Sequence, residues 1–250
     1  MPDYDFRTPR LFVDAPLAVG GQVLLDRGQA NYLKNVLRLG RGDSVLLFNG
    51  RDGEWGANLA GTDKRSVTLV LGPRLRAQPP AGDLHFLFAP LKHARLDYMV
   101  QKAVEMGASL LQVVITQHTQ VKRINLDRMR ANVIEAAQQC GVLGVPDVAA
   151  PIPIDRLAGG ADRLLIFCDE SAEVTDPVKA LEAAQLAEGQ PIAVLIGPEG
   201  GFTNEERSAL LKQPKVVRIA LGPRILRADT AAVAAMALVQ AVLGDWRGST

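Results

Sequence analysis

With 250 residues, 48% of them hydrophobic and 22% charged, the chain has the composition of a globular protein long enough to bury a substantial core. A formal net charge of +1 excludes a strongly basic nucleic-acid binder, so any RNA contact must rest on local patches. No apolar run approaches the roughly 18 residues of a membrane span, and the start MPDYDFRTPR has no signal-peptide core; a soluble, cytoplasmic protein with no membrane contact is expected.

Residues 1–72 read as a small β-rich domain, with strands expected at 10–13, 22–25, 44–48, 54–59 and 66–71. Gly20-Gly21, Asn49-Gly50 and Asp52-Gly53 mark turns. One helix is expected over 29–39, with Leu33, Val36 and Leu37 inward. Short strands around one helix suggest a barrel. Lys34, Arg38 and Arg41 fall on one stripe of that helix and its end, and Arg7 and Arg10 lie just before or at the first strand. The stripe is either a solvated face or a phosphate-tracking patch, and the residues alone leave both open. The stretch GPRLRAQPPAG at 72–82 is the clearest linker.

From residue 83 onward strand and helix alternate, the pattern of a parallel α/β sheet. Strands are expected at 85–89, 110–115 and 163–168, and helices at 95–106, ended by Gly107, and at 126–139, capped by Asn125. Asp176-Pro177 opens another helix, with proline at the first helical position. Cys140 and Cys168 read as separate thiols, and His85, His93 and His118 have no metal-ligand spacing, so no metal is expected.

Two strand–turn–helix stretches, expected to follow adjacent strands, organise this half. Ile192 to Ile196 is an unbroken apolar strand followed by Gly197, Pro198, Glu199, Gly200 and Gly201, after which Thr203 and Glu206 form a capping box. The second strand, 216–221, leads into Gly222, Pro223, Arg224, Ile225, Leu226 and Arg227, then an alanine-rich helix over 231–243 capped by Asp229 or Thr230. In an open α/β sheet such turns hold ligands beyond the carboxyl ends of the strands; tight turns in which glycine only supplies unusual dihedrals are the plainer alternative. Neither loop carries a phosphate-cradle pattern, so a ligand with little phosphate is expected.

Leu195-Ile-Gly-Pro-Glu-Gly-Gly-Phe together with Leu221-Gly-Pro-Arg-Ile-Leu-Arg-Ala-Asp-Thr-Ala resembles the paired signature of the SPOUT methyltransferases, and most closely that of the RsmE group. Lys92-His-Ala-Arg-Leu-Asp-Tyr-Met-Val-Gln-Lys-Ala-Val-Glu-Met-Gly is similar to the first-helix motif of that group, with Gln101, Lys102 and Glu105 at its polar positions. Asn132-Val-Ile-Glu-Ala-Ala-Gln-Gln-Cys-Gly is similar to the second, with Glu135 and Gln139 matching. Gln117, Gln138 and Val142 stand where the group usually carries charged residues.

The resemblance implies a parallel sheet with helices on both faces and a C-terminal trefoil knot over 83–250. A linker over 73–82 joins it to a PUA-like RNA-binding β-barrel over 1–72. It implies S-adenosyl-L-methionine as cofactor, methylation of uridine at ring nitrogen 3 in small-subunit (16S) ribosomal RNA, and a homodimer formed through the last helix. The cofactor would lie against Leu195, Ile196, Gly197, Pro198, Glu199, Gly200, Gly201, Leu221, Gly222, Ile225, Leu226, Arg227 and Thr230. Arg227 is the candidate for stabilising the developing anion, and Glu199 and Asp229 are the candidate bases. Lys92 and Lys102 join Arg7, Arg10, Lys34, Arg38 and Arg41 as candidate RNA contacts. A methyltransferase acting on another ribosomal or transfer RNA nucleotide, and a non-catalytic RNA-binding assembly protein, remain as alternatives. A dehydrogenase is disfavoured because its glycine fingerprint is missing.

Overall fold

The computed structural model describes residues 7–62, 66–121, 123–157, 163–173, 176–184 and 189–247. The chain divides into two compact units, Met1–Ala81 with Ala137–Val145, and Gly82–Ala136 with Pro146–Thr250.

In the first unit the strands are β1 (Arg10–Phe12), β2 (Gln22–Leu24), β3 (Ser44–Phe48), β4 (Glu54–Thr62) and β5 (Val67–Arg76). They form one mixed sheet in the order β1-β3-β4-β5-β2, parallel only between β1 and β3. This is a half-barrel in place of a closed barrel. Leu11, Val23, Val45, Leu47, Leu59 and Leu69, alternating along these strands, bury a common core with Leu33. β5 runs on through Arg76, so the first part of the expected linker is strand.

Helix α1 (Arg27–Asn31) begins earlier than expected, because Asp26 and Gln29 form a capping box. It passes into a π-turn, Tyr32–Val36, in which Leu37 N donates to Tyr32 O over 3.0 Å. That widening turns Val36 outward, where it is 61% exposed, while Leu33 stays fully buried. Arg38 follows with φ 58, so Lys34, Arg38 and Arg41 are not one stripe of a regular helix.

Arg10 is a correction. It is buried and not a surface RNA contact. Its Nε donates to Glu54 Oε1 (2.6 Å), and its other nitrogens donate to the carbonyls of Ala137, Gln138 and Val142. Arg76 completes the cluster, bonding Glu54 Oε2 at 2.6 Å and the Gly141 carbonyl at 3.0 Å. The carbonyls are those left over at the end of the helix Leu126–Cys140, so two arginines cap it. Burial pushes the Glu54 carboxyl up, but the bonds and charges of Arg76 and Arg10 outweigh it and hold the group below the usual range. Gln138 is occupied as well: its Oε1 accepts from Phe12 N at 2.9 Å.

The second unit holds β6 (Leu84–Phe88), α2 (His93–Glu105), β7 (Leu110–Ile115), most of α3 (Leu126–Cys140) and β8 (Asp147–Pro153). These are followed by β9 (Leu164–Cys168), α4 (Pro177–Glu182), β10 (Ile192–Ile196), α5 (Asn204–Leu211), β11 (Val216–Ile219) and α6 (Ala228–Val242). The strands form a parallel sheet ordered β11-β9-β10-β6-β7-β8. β9 and β10 are buried at every position, as continuous apolar runs in a covered parallel sheet should be. β8 has no counterpart in the sequence reading. It is a half-exposed edge strand containing Pro151 and Pro153, and prolines are tolerated at an edge where no ladder donor is needed.

Two expectations change here. β10 and β11 are not neighbours, because β9 lies between them. And α6 starts at Ala228 with Arg227 as its N-cap, so Asp229 and Thr230 lie within the first turn and do not cap it. The helix packs on α2, α4 and β10, burying Ala228, Ala232, Ala235, Met236 and Val239. Among the described residues, no helix is long and apolar enough to cross a membrane.

Candidate active site

Because every strand of the second sheet runs the same way, the loops after β9, β10 and β11 leave it at one edge. The loop after β10 folds on itself. Gly201 N donates to Pro198 O at 2.9 Å, with Gly201 at φ +66, a conformation that favours glycine. A Cβ at Gly197 would stand 2.5 Å from Cε2 of Phe202, one at Gly200 3.1 Å from Cβ of His118, and one at Gly201 would collide with Oε1 of Glu170. The space a Cβ would need at each of these three glycines is taken by a protein side chain. Leu195, Ile196 and Pro198 are likewise buried.

Neighbouring elements fix the loop from several directions. The expected capping box forms, with Thr203 N donating to Glu206 Oε2 (2.9 Å) and Glu206 N to Thr203 Oγ1 (3.2 Å). Glu206 Oε1 accepts from Gln117 N at 2.8 Å, which ties in the turn after β7. That turn also presents His118, whose Nδ1 lies 2.9 Å from Gly200 O and 3.0 Å from Gly201 O.

Arg207 on α5 donates to Phe202 O, to Asp169 (3.1 Å from Nε to Oδ2), to Glu170 (2.9 Å) and to Ser171 Oγ (3.1 Å). Asp169, buried after β9, also receives Arg218 from β11 at 2.6 Å. Asp169, Glu170 and Ser171 are absent from the expected site, and His118 enters the sequence reading only as a histidine outside any metal-ligand spacing. An acidic pair directly after a fully apolar strand was the available signal for the first two.

The loop after β11 is held far less. Gly222 has φ +96, with open space where a Cβ would stand. Leu221 and Leu226 are half-buried, Arg224 and Arg227 exposed, and Ile225 is 91% exposed. Asp229 Oδ1 accepts from Thr230 N at 3.0 Å, an acid in the first turn of α6 where anions are favoured. Arg95 of α2 links the two loops, its Nη1 3.5 Å from Glu199 Oε1 and its Nε 3.9 Å from Asp229 Oδ2. The two candidate bases thus share one guanidinium that the sequence reading did not single out.

The candidate RNA contacts fall in both units. Lys92, exposed at the start of α2, rims a pocket whose floor is Leu91, Leu96, Val121, Ile124 and Met129, with Arg123 and Arg128 beside it. Arg128 is paired with Asp97, Nε to Oδ1 being 3.1 Å. Lys102 is paired with Glu105 at 2.7 Å. In the first unit Arg7, Arg38 and Arg41 are exposed and Lys34 is half-buried.

Comparison with known proteins gives concordant results. A family model described as an RNA methyltransferase domain matches residues 77–240, and one described as an RNA methyltransferase PUA domain matches residues 25–72. A ribosomal RNA small subunit methyltransferase E from Rickettsia conorii is 30% identical, over 92% of this chain and 94% of its own length. The protein of the same name from Neisseria gonorrhoeae, solved with S-adenosyl methionine bound, superposes with a TM-score of 0.81 at 25% identity, over 96% of this chain and 100% of its own. A putative methyltransferase from Legionella pneumophila, in complex with the cofactor SAM, gives a TM-score of 0.80 at 28% identity, over 94% and 98% of the two chains.

Proposed function

The chain belongs to the ribosomal RNA small subunit methyltransferase E family, and from that premise we propose that it transfers a methyl group from S-adenosylmethionine to ring nitrogen 3 of a uridine in small-subunit ribosomal RNA. The observation that carries this reading is the convergence of three loops at one sheet edge, with Arg95 joining Glu199 to Asp229.

The residues present fit the donor. Open backbone at Gly222, the half-buried Leu221 and Leu226, and the exposed Ile225 offer apolar contact and unobstructed amides to an adenosine, while Glu199 and Asp229 offer negative charge to a sulfonium. When bound, that donor supplies a methyl carbon open to in-line displacement. The chain's part is to hold acceptor and donor aligned, an effect worth up to about 7–11 kcal/mol, and to manage the acceptor's proton. Arg227, exposed at the start of α6, stabilises the uracil oxygen on which negative charge gathers.

The first unit supplies RNA affinity through Arg7, Lys34, Arg38 and Arg41, and the second carries out the methyl transfer. Two copies associate through the outer face of α6, where Ala231, Val233, Ala234, Ala237 and Leu238 are partly exposed. Ala235 is fully buried in its own unit, so Ala234→Arg and not a change at 235 tests the dimer, by mass in solution. A wild-type protein that is monomeric at micromolar concentration sinks the association. For the activity, nucleoside mass spectrometry is run on small-subunit RNA from cells with and without the protein. The expected loss is one N3-methyluridine; loss of a different modified nucleoside, or of none, refutes the assignment.

A further inference from the structure

Resting on the proposed reaction, we infer that His118 is the general base that removes the proton from the uridine ring nitrogen. The nitrogen must lose its hydrogen to attack, yet the two candidate carboxylates, Glu199 and Asp229, both face the Arg95 guanidinium. An imidazole is the better proton acceptor near neutral pH.

The geometry around His118 selects the reactive form. Its Nδ1 lies within hydrogen-bond distance of two carbonyl oxygens, those of Gly200 and Gly201, at 2.9 and 3.0 Å. A carbonyl can only accept, so Nδ1 carries the hydrogen and, in the neutral ring, Nε2 keeps its lone pair. His118 is exposed, so a nucleotide can reach the residue. The same contacts fix the ring to the glycine loop, and the Glu206 bond to Gln117 N holds the adjacent backbone. The charged groups tied to the same loop and turn are Glu199, paired with Arg95, Glu206 and Arg207 on α5, and Glu170 after β9.

The step balances. Nε2 takes the proton from the ring nitrogen; that nitrogen's electron pair forms the bond to the methyl carbon; the carbon–sulfur bond breaks with its pair going to sulfur. The products are the methylated uridine, S-adenosylhomocysteine and an imidazolium that returns its proton to water.

Two measurements test this. Nitrogen-15 NMR of the imidazole in the donor-free protein should show the neutral ring protonated on Nδ1; a ring protonated on Nε2 overturns the inference without reference to activity. Methylation of isolated small subunits is then compared for wild type, His118→Asn and His118→Ala. Asparagine retains a donor close to the Nδ1 position but has no titratable lone pair. Turnover of H118N should fall about 100- to 10,000-fold, with donor affinity by calorimetry unchanged. H118N should lack the acid limb expected of the wild-type pH–rate profile, and added imidazole should partly restore H118A. Turnover of H118N within about threefold of wild type, with the same pH profile, rejects His118 as base. A wild-type enzyme that places no methyl on uridine nitrogen 3 rejects the underlying reaction instead, so the two failures are distinguishable.

Discussion

The loops after β10 and β11 look alike as strings, each an apolar strand, a Gly-Pro pair and a helix, yet they are built in opposite ways. The first is packed and bonded on all sides by Phe202, Glu206, Arg207, His118 and Glu170. The second has open space at Gly222 and presents Ile225 almost entirely to solvent. A glycine in a loop motif is therefore not by itself evidence of room for a ligand. At 197, 200 and 201 it makes room for the protein's own side chains, and Arg95 links that loop to the second.

That contrast breaks most visibly at Asp169. Asp169→Ala leaves Arg207 and Arg218 without their shared carboxylate and unties the first loop. A cost of about 3 kcal/mol in urea unfolding is expected, at the low end for a broken buried pair because the arginines are partly exposed. A loss under about 1 kcal/mol would mean the first loop does not depend on this anchor. At the exposed Arg227, Ala should leave unfolding within about 0.5 kcal/mol of wild type and lower turnover about 100-fold. A substantial change in unfolding would make Arg227 structural, and unchanged turnover would remove it from the chemistry.

The glycines sharpen the comparison further. Gly201→Ala should destabilise by about 2 kcal/mol, since φ +66 and Glu170 both oppose a side chain. Gly222→Ala meets only the dihedral strain, about 1 kcal/mol, and should weaken donor binding more than tenfold in calorimetry. The reverse ranking in unfolding would show that the second loop is the held one. Smallest in effect, Lys34→Ala, Arg38→Ala and Arg41→Ala together should reduce RNA affinity about tenfold and flatten its salt dependence, leaving donor binding alone. An unchanged salt slope would make these residues a solvated face.

Strands and caps were legible because their signals are local: continuous apolar runs at β9 and β10, Asp176 before Pro177, Thr203 with Glu206. What escaped is decided by residues distant in the chain. Nothing in the string says that β9 lies between β10 and β11, so the loop carrying Asp169 went unnoticed. Arg10 reads as a surface cation until Glu54 and the end of α3 enclose it. β8 was missed for another reason: an edge strand with two prolines has neither the apolar run nor the alternation that marks a strand. Asp26 and Gln29 were readable as a capping box and simply outcompeted by the later, more apolar part of that helix.

Gln138 and Val142, singled out as places where expected charges are missing, are used through a side-chain amide and a backbone carbonyl, both inside the first unit. Because Ala137–Val145 belongs to that unit although the chain reaches it only after passing through much of the second, the N-terminal part is not an interchangeable module. A fragment ending at Ala81 carries Arg10 and Arg76 without the carbonyls they bind. The complementary fragment has those carbonyls and no guanidinium to meet them. Exchange of this unit between relatives therefore has to carry residues 137–145 along with residues 1–81.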